Sequence, residues 1–353
     1  MLGLVRAQIT AGYSVAVVAL RPAQAAFESE MDALRELGCE LFVPPRPLVR
    51  QQRLSWIRRA ARTFKPGVVF AHSLLPSAYC RLALIGLSET SVATVLHTDD
   101  DFLDPKARLF ERLFWRGSAI VVGVSPASLR NYRSRITHKQ KTRLITNGVN
   151  LETIRAEIQH RDTARGGVYR ASDGEIILLQ VGRICPQKQQ LLSVEALAEL
   201  GRKISLDKIR LIFAGVVEFK EYCEQVVAAA RALGVENKIE FLGSRKDVAL
   251  LLAGADALLM PSGWEAQSIA AIEALASGIF CIFSRIESFV AYARLVGVKV
   301  LPLQATSAQF ADIMHEAIAT SALSHRYSRD LNVFSFENCS RAYLEIANEL
   351  NGV

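Results

Sequence analysis

The chain has 353 residues, half of them hydrophobic, and a formal net charge of +7. This length exceeds one ordinary core and predicts two domains of roughly 150–200 residues, and the apolar content excludes a disordered chain. No apolar run reaches the roughly 20 residues that span a bilayer, and the first residues lack the pattern of a secretory signal.

The six cysteines are scattered without a CxxC pair. This favours reduced thiols in a cytoplasmic protein over a zinc site or a disulfide framework. Residues 1–150 hold 21 of the 42 basic residues but only 11 of the 35 acidic ones, and no acidic residue occurs from Leu41 to Ser88. Positive charge of this kind attracts anionic lipid, polyphosphate or nucleic acid.

Short β-rich runs alternate with helical patterns through the first half of the chain. Strands are predicted at residues 15–20, 40–43, 68–71, 92–96, 120–124 and 142–145, with helices near 28–37, 48–64 and 76–84. Strands separated by helices at this spacing indicate right-handed βαβ units and a parallel sheet.

A polar stretch at residues 159–173 is predicted to be the domain linker, after which the pattern restarts. Strands are predicted at residues 175–181, 209–214, 239–242, 257–260 and 280–283, with helices at 189–200, 219–233, 248–253, 268–276 and 337–350. The predicted fold is therefore α/β with two doubly wound Rossmann-like domains. We place them at residues 1–158 and 159–330, followed by a final helical segment at 331–353.

The predicted first domain begins in an unusual order. A doubly wound domain normally starts with a central strand and a glycine-rich turn ahead of its first helix. Residues 1–20 instead predict an amphipathic helix, a turn at Ala11-Gly12 and then a strand. The first strand and its glycine loop are thus missing from these residues, and we expect either that the true start lies further upstream or that the protein has lost this edge of its cleft.

The first chemical motif follows the strand at 175–181. This strand ends in Gly182-Arg183, and Lys188 lies where the next helix opens. Glycine lets a phosphate approach the backbone, and a helix N-terminus adds amide donors. The two cations at this edge suit a diphosphate, although Gly-Arg after a strand is common by itself.

The second motif extends from Pro261 to Gly278, where a loop carries Glu265 and a predicted helix carries Glu273. Glu273 lies among aliphatic residues, and a buried carboxylate needs a partner, for which a ribose diol would serve. The alternative is a capping loop with Glu273 on the solvated face of an amphipathic helix.

Together these segments resemble the signature of family 4 retaining glycosyltransferases of the GT-B fold (glycosyl transferases group 1). Glu265 and Glu273 follow Pro-Ser and precede Ala-Leu-Ala-Ser-Gly. The resemblance extends through most of the chain and includes residues 71–73, 95–98, 123–125, 147–150 and 241–247, and the final helix.

The resemblance implies two domains facing a cleft. It also implies the transfer of a hexose-like sugar, with retained configuration, from a UDP- or GDP-sugar to a glycan or lipid-linked acceptor, without a cofactor or an obligatory metal. By position, Glu273 would hold the ribose, Glu265 the donor sugar, and His97 would contact the sugar near the reacting centre. Glu265 and His97 are thus the implied catalytic residues. The implied donor-binding residues are Gly182, Arg183, Lys188, Ser244, Arg245, Ala266, Gln267, Ser268 and Glu273.

The chain departs from the family where Ala266-Gln267-Ser268 replaces the usual Gly-Phe-Gly or Gly-Phe-Pro. The resemblance therefore leaves two hypotheses open. One is a glycosyltransferase of surface polysaccharide or lipopolysaccharide synthesis, at the inner face of the membrane. The other is a catalytically impaired descendant that acts as a binding or scaffold protein.

Other candidates carry alternatives. Asp99-Asp100-Asp101 spells a DxD metal motif, but we favour a solvated loop. His72 is expected to be structural or on the acceptor side. The helix from Arg50 to Arg62, with Trp56, would either meet an anionic membrane or pack its apolar stripe on its own sheet. No nucleic acid partner is expected, because the chain lacks an aromatic-rich sheet, zinc spacing and an arginine-rich tail.

Overall fold

The computed structural model describes residues 2–23, 27–97, 102 and 104–352. The chain divides into two compact units, Met1–Val149 with Val333–Val353, and Asn150–Asn332. Each unit is built of parallel strands and helices, as the sequence predicts. The boundary predicted from the sequence lies after residue 158. The units divide earlier because helix α7 (Leu151–Ile158) packs on two helices of the second unit, α11 (Val248–Gly254) and α12 (Ile269–Ser277).

The first unit contains two separate parallel sheets. Strands β1 (Ala16–Val18) and β2 (Glu40–Phe42) form one sheet. The other sheet has four strands in chain order, β3 (Val68–His72), β4 (Ser91–Leu96), β5 (Ile120–Gly123) and β6 (Thr142–Leu144). The helices of this unit are α1 (Leu2–Thr10), α2 (Glu28–Glu36), α3 (Arg50–Phe64), α4 (Leu74–Ala83), α5 (Pro105–Phe114), α6 (Pro126–Arg135) and α15 (Phe336–Asn351).

The second unit has one six-stranded parallel sheet, in the order β12-β11-β10-β7-β8-β9. Its strands are β7 (Ile176–Val181), β8 (Ile209–Ala214), β9 (Ile239–Gly243), β10 (Ala257–Met260), β11 (Phe280–Phe283) and β12 (Val298–Val300). Its remaining helices are α8 (Arg161–Thr163), α9 (Gln190–Gly201), α10 (Lys220–Ala232), α13 (Glu287–Val290) and α14 (Ser307–Ala319). Strands β10 and β11 are wholly buried, as their unbroken apolar sequences predict for a parallel sheet covered on both faces.

The segment predicted to be a linker, residues 159–173, is instead folded onto the second unit. Helix α8 continues into a single π turn, and Tyr169 is buried. The guanidinium groups of Arg161 and Arg165 bind the two carboxylate oxygens of Asp256 at 2.5 and 3.0 Å. Asp256 also accepts a hydrogen bond from the Ile177 amide at 2.7 Å. This buried carboxylate therefore joins the segment to the start of strand β10.

Helix α3, the basic helix considered for membrane binding, turns its apolar side towards its own unit. Ile57 and Ala60 are buried, and the Trp56 indole N–H donates to the Ala19 carbonyl at 3.2 Å. Of the two interpretations of this helix, packing of its apolar stripe on its own sheet is the one observed. In the described part of the chain, no helix is both long enough and apolar enough to cross a bilayer.

We predict that Asp256→Ala lowers the free energy of unfolding of the second unit by about 3 kcal/mol. It strips two partly buried arginines of their partner, and such losses are costly. The matched control is Asp312→Ala, which removes the more exposed pair with Lys203 and should cost at most about 1 kcal/mol. Urea denaturation monitored by hydrogen exchange in the second unit measures both, and equal effects would contradict the assignment.

Candidate active site

The topology of the second sheet defines where its loops meet. Strand β7 pairs with β8 on one side and with β10 on the other, so the chain leaves β7 in one direction and later returns on the opposite side. Loops that leave the carboxyl ends of two such strands diverge and open a crevice between them. Here these are residues 182–189, after β7, and residues 261–267, after β10.

Glycines let neighbouring chain segments approach closely at the edge beside this crevice. Gly182 has a φ of +153°, and a Cβ there would lie 3.0 Å from the Lys188 Cε. A Cβ on Gly215 would come within 1.9 Å of the Gly182 carbonyl oxygen, so Gly215 admits no side chain. Gly182 was predicted from the sequence, whereas Gly215 was not, although it directly follows a predicted strand.

The two loops are joined across the crevice by Lys188 and Glu265. The Lys188 ammonium donates to the Glu265 carboxylate, and the side chains are only 12% and 9% exposed. The Gly263 amide donates to the Gln187 carbonyl at 2.8 Å, and the Gln187 side-chain amide donates to the Trp264 carbonyl at 2.8 Å. The structure thus brings together two residues that lie far apart in the sequence and holds a cation beside a carboxylate, largely out of water.

Arg183, the other predicted cation, lies at the rim. Its guanidinium binds Glu218 at 2.5 Å and the Gln187 side-chain oxygen at 3.1 Å. The side chain is 48% exposed. It can therefore reorient towards an incoming anion at lower cost than Lys188.

Glu273 lies on helix α12 between two buried residues, Ile272 and Ala274. In the described part of the chain its carboxylate has neither a hydrogen-bond nor an ion-pair partner. Burial without compensation raises its pKa to about 7. The structure therefore contradicts the alternative of a fully solvated face and leaves a carboxylate that a hydroxyl donor could satisfy.

The three residues that depart from the expected Gly-Phe-Gly or Gly-Phe-Pro pattern have defined local roles. Ser268 caps helix α12, its hydroxyl accepting from the Ala271 amide at 3.4 Å. The Gln267 side chain hydrogen-bonds to Tyr292, and Ala266 is half-buried in the loop. The backbone amides of this turn, rather than its side chains, are what a ligand could use.

The loop after strand β9 carries the remaining predicted donor residues. Ser244 is exposed. Arg245 forms a bidentate pair with Asp247 at 2.8 and 2.5 Å, and this pairing holds the pKa of the Asp247 carboxyl below its usual value despite its partial burial. The Gly215 amide donates to the Gly243 carbonyl at 2.8 Å, which ties this loop to the glycine edge.

His97 belongs to the first unit, where it contacts His72. His72 is the last residue of β3 and His97 directly follows β4, so both lie at the carboxyl ends of neighbouring parallel strands. His72 Nδ1 lies 2.7 Å from His97 Nε2, and the two rings are stacked. Burial lowers both pKa values, that of His72 to about 4, so both rings are neutral at pH 7. One ring must then donate and the other accept, which orients His97 through its neighbour.

The next residue, Ser73, has a φ of +75°, in the region that favours glycine. Its amide donates to the Val95 carbonyl at 2.8 Å. Strained backbone of this kind concentrates at functional sites, so the turn at the histidine pair is a candidate part of the site in its own right.

The metal motif considered above, Asp99-Asp100-Asp101, lies outside the described residues. Within residues 2–23, 27–97, 102 and 104–352, no cluster of three or more His, Cys, Asp or Glu side chains could hold a metal ion.

We predict that Glu273→Gln removes a pH dependence of stability. The folded-state pKa is raised from 4.5 to about 7, so the folded protein binds the proton more tightly than the unfolded chain. Wild-type stability should therefore fall as the pH rises from about 4.5 to 7. At pH 8 Glu273→Gln should be more stable by about 2 kcal/mol, with little difference near pH 4.5.

Thermal unfolding at pH 5 and pH 8 measures this difference, with Glu221→Gln on the exposed side of helix α10 as the matched control. A Glu273→Gln variant that keeps the wild-type pH dependence would show that this carboxyl is already compensated.

Comparison with known proteins identifies the family. The model for "Glycosyl transferases group 1" matches residues 167–330, and that for "Glycosyltransferase Family 4" matches residues 1–153. The chain therefore belongs to the family 4 (group 1) glycosyltransferases, and the resemblance found in its motifs is confirmed.

Solved structures share the fold. A glycosyltransferase from Rickettsia africae ESF-5 has a TM-score of 0.80 at 16% identity, covering 99% of this chain and 94% of that one. HepE of Anabaena, solved in complex with UDP and glucose, has a TM-score of 0.75 at 18% identity, covering 99% and 96%. The GT-B fold expected from the sequence is thus confirmed.

Curated relatives match over shorter segments. N-acetyl-alpha-D-glucosaminyl L-malate synthase of Bacillus anthracis is 25% identical over 225 residues, 62% of this chain and 56% of the relative. Lipopolysaccharide glucosyltransferase WaaG of Escherichia coli K12 is 36% identical over 116 residues, 32% of this chain and 30% of the relative. The matched segments thus span about half or less of these relatives.

Proposed function

We propose that this protein is a retaining glycosyltransferase that moves a hexose-like sugar from a nucleoside diphosphate donor to a glycan or lipid-linked acceptor. The observation that carries the proposal is the crevice between β7 and β10. There a largely buried Lys188–Glu265 pair lies beside Gly182 and Gly215, whose missing side chains let the backbones approach closely, and the sheet's next helix on that side carries a partnerless Glu273.

Each residue then has a chemical role. Lys188 and Arg183 neutralise the leaving diphosphate, which also meets the backbone amides around Gly182. Glu273 accepts hydrogen bonds from the ribose hydroxyls, and this supplies the partner that its half-buried carboxylate lacks. Glu265 binds the donor sugar once Lys188 turns to the diphosphate. Ser244 and Arg245 belong to the loop beside the nucleotide base.

The reaction requires no protein nucleophile in this proposal. The bond between the anomeric carbon and the diphosphate oxygen breaks as the acceptor hydroxyl oxygen approaches the same face, so positive charge develops on the sugar and negative charge on the leaving group. The acceptor oxygen then bonds to the anomeric carbon, and its proton passes to the departing diphosphate oxygen. Fixed charges that stabilise this separation are the catalytic apparatus. His97 contacts the sugar near the reacting carbon, and His72 holds the orientation of its ring.

The relatives support this class of substrate. HepE of Anabaena was solved with UDP and glucose, and WaaG is a lipopolysaccharide glucosyltransferase. A relative from Mycobacterium tuberculosis, 33% identical over 139 residues, is a GDP-mannose-dependent mannosyltransferase. We therefore keep both UDP- and GDP-sugars as donors, and a surface polysaccharide or lipopolysaccharide precursor at the inner membrane face as the acceptor.

A second candidate function is a binding or scaffold role without catalysis. The Ala266-Gln267-Ser268 turn favours it, because the family usually has Gly-Phe-Gly or Gly-Phe-Pro there, and the Gln267 side chain instead hydrogen-bonds to Tyr292. The two candidates differ in whether the donor sugar is bound and cleaved.

We predict that Lys188→Ala and Glu273→Ala each weaken binding of the cognate sugar nucleotide by at least tenfold. One variant loses the charge that pairs with the diphosphate, and the other loses the ribose acceptor. Isothermal titration with UDP-glucose and GDP-mannose measures the affinities. Lys208→Ala is the matched control, because Lys208 directly precedes strand β8, at the opposite edge of the sheet, and is exposed. Unchanged affinity in both site variants would reject the donor-site assignment.

We predict that His97→Ala lowers the rate of donor hydrolysis at least 100-fold while leaving the nucleoside diphosphate affinity within twofold. The histidine is assigned to the reacting sugar and not to the nucleotide. Release of UDP or GDP in the absence of acceptor measures the rate, with the exposed His138→Ala as control. Donor cleavage at the wild-type rate in His97→Ala would remove it from the catalytic residues.

A further inference from the structure

Helix α5 of the first unit carries large apolar side chains that are not buried. Leu109 is 60% exposed, Leu113 68% and Phe114 47%. Leu109 and Leu113 are four residues apart and therefore lie on the same side of the helix. A single exposed apolar residue is normal, but three on a helix of ten residues form a patch of the kind that marks an interaction site. We name these three residues the α5 apolar patch.

The opposite side of α5 faces the protein. Glu111 is two residues from Leu109, about 200° around the helix, and it is fully buried. Its carboxylate accepts hydrogen bonds from the Arg81 guanidinium of α4 at 2.5 and 3.2 Å and from the Tyr132 hydroxyl of α6 at 3.3 Å. Because a buried charge cannot leave its partner cheaply, these bonds fix the rotation of α5. The α5 apolar patch is therefore held towards the outside of the unit.

Basic residues adjoin the patch. Arg112 is exposed on the helix, and Arg116 is exposed in the turn that follows it. The Arg112 Nε donates to the Arg135 carbonyl at 2.7 Å, which brings the last turn of α6, with Arg133, beside α5. Glu111 is the one acidic residue in the sequence of α5, and its charge is paired inside the protein. The outward side of the helix thus carries apolar and cationic side chains.

Acidic residues occur at the other end of the helix. Asp104 caps the N-terminus, its carboxylate accepting from the Lys106 amide at 2.9 Å. Asp99-Asp100-Asp101 precede it in the sequence. Net positive charge is therefore larger at the C-terminal half of α5, where Leu113 and Phe114 are. Exposed apolar side chains with neighbouring arginines are the combination that binds an anionic bilayer.

We propose that helix α5 docks the first unit on an anionic lipid bilayer. The α5 apolar patch enters the boundary between headgroups and acyl chains. Arg112 and Arg116 stay at the headgroup phosphates, as long cationic side chains do at this boundary. A second copy of the chain would also cover the patch, but it would bring its own arginines against these, and like charges repel. The bilayer alone offers both an apolar layer and negative charge.

Helix α3 is the other basic helix of the unit, and it lacks this combination. Its apolar residues Ile57 and Ala60 are buried, whereas Arg59 and Arg62 are exposed. Exposed charge alone gives an attraction that salt screens. Helix α3 therefore supplies a control with the same charge and without the apolar patch.

Sedimentation with vesicles tests the proposal. The wild type should bind vesicles of phosphatidylcholine with roughly one-third phosphatidylglycerol at least tenfold more tightly than vesicles of phosphatidylcholine alone. The double variant Leu109→Ser/Leu113→Ser should bind the anionic vesicles at least tenfold more weakly than the wild type, because it removes the apolar contacts. The matched control is Leu303→Ser, a similarly exposed leucine of the second unit, which should bind as the wild type does.

A second pair of variants separates α5 from α3. Arg112→Gln/Arg116→Gln should weaken binding at least fivefold, and Arg59→Gln/Arg62→Gln should stay within twofold of the wild type. An equal loss in the two pairs would show attraction by overall charge and overturn the proposal. No sedimentation with either kind of vesicle, or unchanged binding by the double serine variant, would reject it outright.

Tryptophan fluorescence locates the inserted side chain. The emission added by Leu113→Trp should be quenched by vesicles whose acyl chains carry bromine, and that added by Leu303→Trp should not. Analytical ultracentrifugation without lipid gives the competing result. A wild-type dimer that the double serine variant abolishes would make the patch an interface between copies and contradict the proposal. None of these readouts uses a sugar nucleotide, so they are independent of the proposed function.

Discussion

The central constraint on the second unit is that strand β7 is paired on both sides. The chain leaves β7 towards β8 and β9 and later returns to place β10 against its other edge. The loops at the two carboxyl ends therefore leave towards opposite sides of the sheet, although Lys188 and Glu265 join them near its edge, and the topology places the expected ligand crevice here. Every donor-site residue predicted in this unit lies on a loop that leaves this edge of the sheet or in the helix after it.

The charged groups of the crevice can change partners when a ligand binds. Lys188 and Glu265 neutralise each other out of water, which limits the cost of burying either one. Glu273 has no such compensation, and its raised pKa records the cost. A ligand with both an anionic group and hydroxyl groups would give all three side chains a partner, the anion pairing with Lys188 and the hydroxyls donating to Glu265 and Glu273. The histidine pair of the first unit differs, because its burial keeps both rings neutral at physiological pH.

Sequence patterns predicted the buried strands well, since a strand covered on both faces must be apolar throughout. Strands β7 and β10 lie within a residue of their expected ends. Side-chain pairs between residues far apart in the sequence left no local sequence pattern. The segment expected to be a linker is folded because Arg161 and Arg165 pair with Asp256. The Lys188–Glu265 pair could not be predicted without knowing which strands are neighbours. The same holds for the His72–His97 contact. The separation of the first unit's strands into two sheets agrees with the first strand that was expected to be missing.

The central claim is that the crevice between β7 and β10 is a sugar-nucleotide site. A crystal structure with the nucleoside diphosphate that most raises the melting temperature tests it directly. The account predicts ribose hydroxyls within hydrogen-bond distance of Glu273, and Lys188 turned from Glu265 to the diphosphate. A nucleotide bound elsewhere, or one bound there with the Lys188–Glu265 pair intact and Glu273 still partnerless, would contradict it.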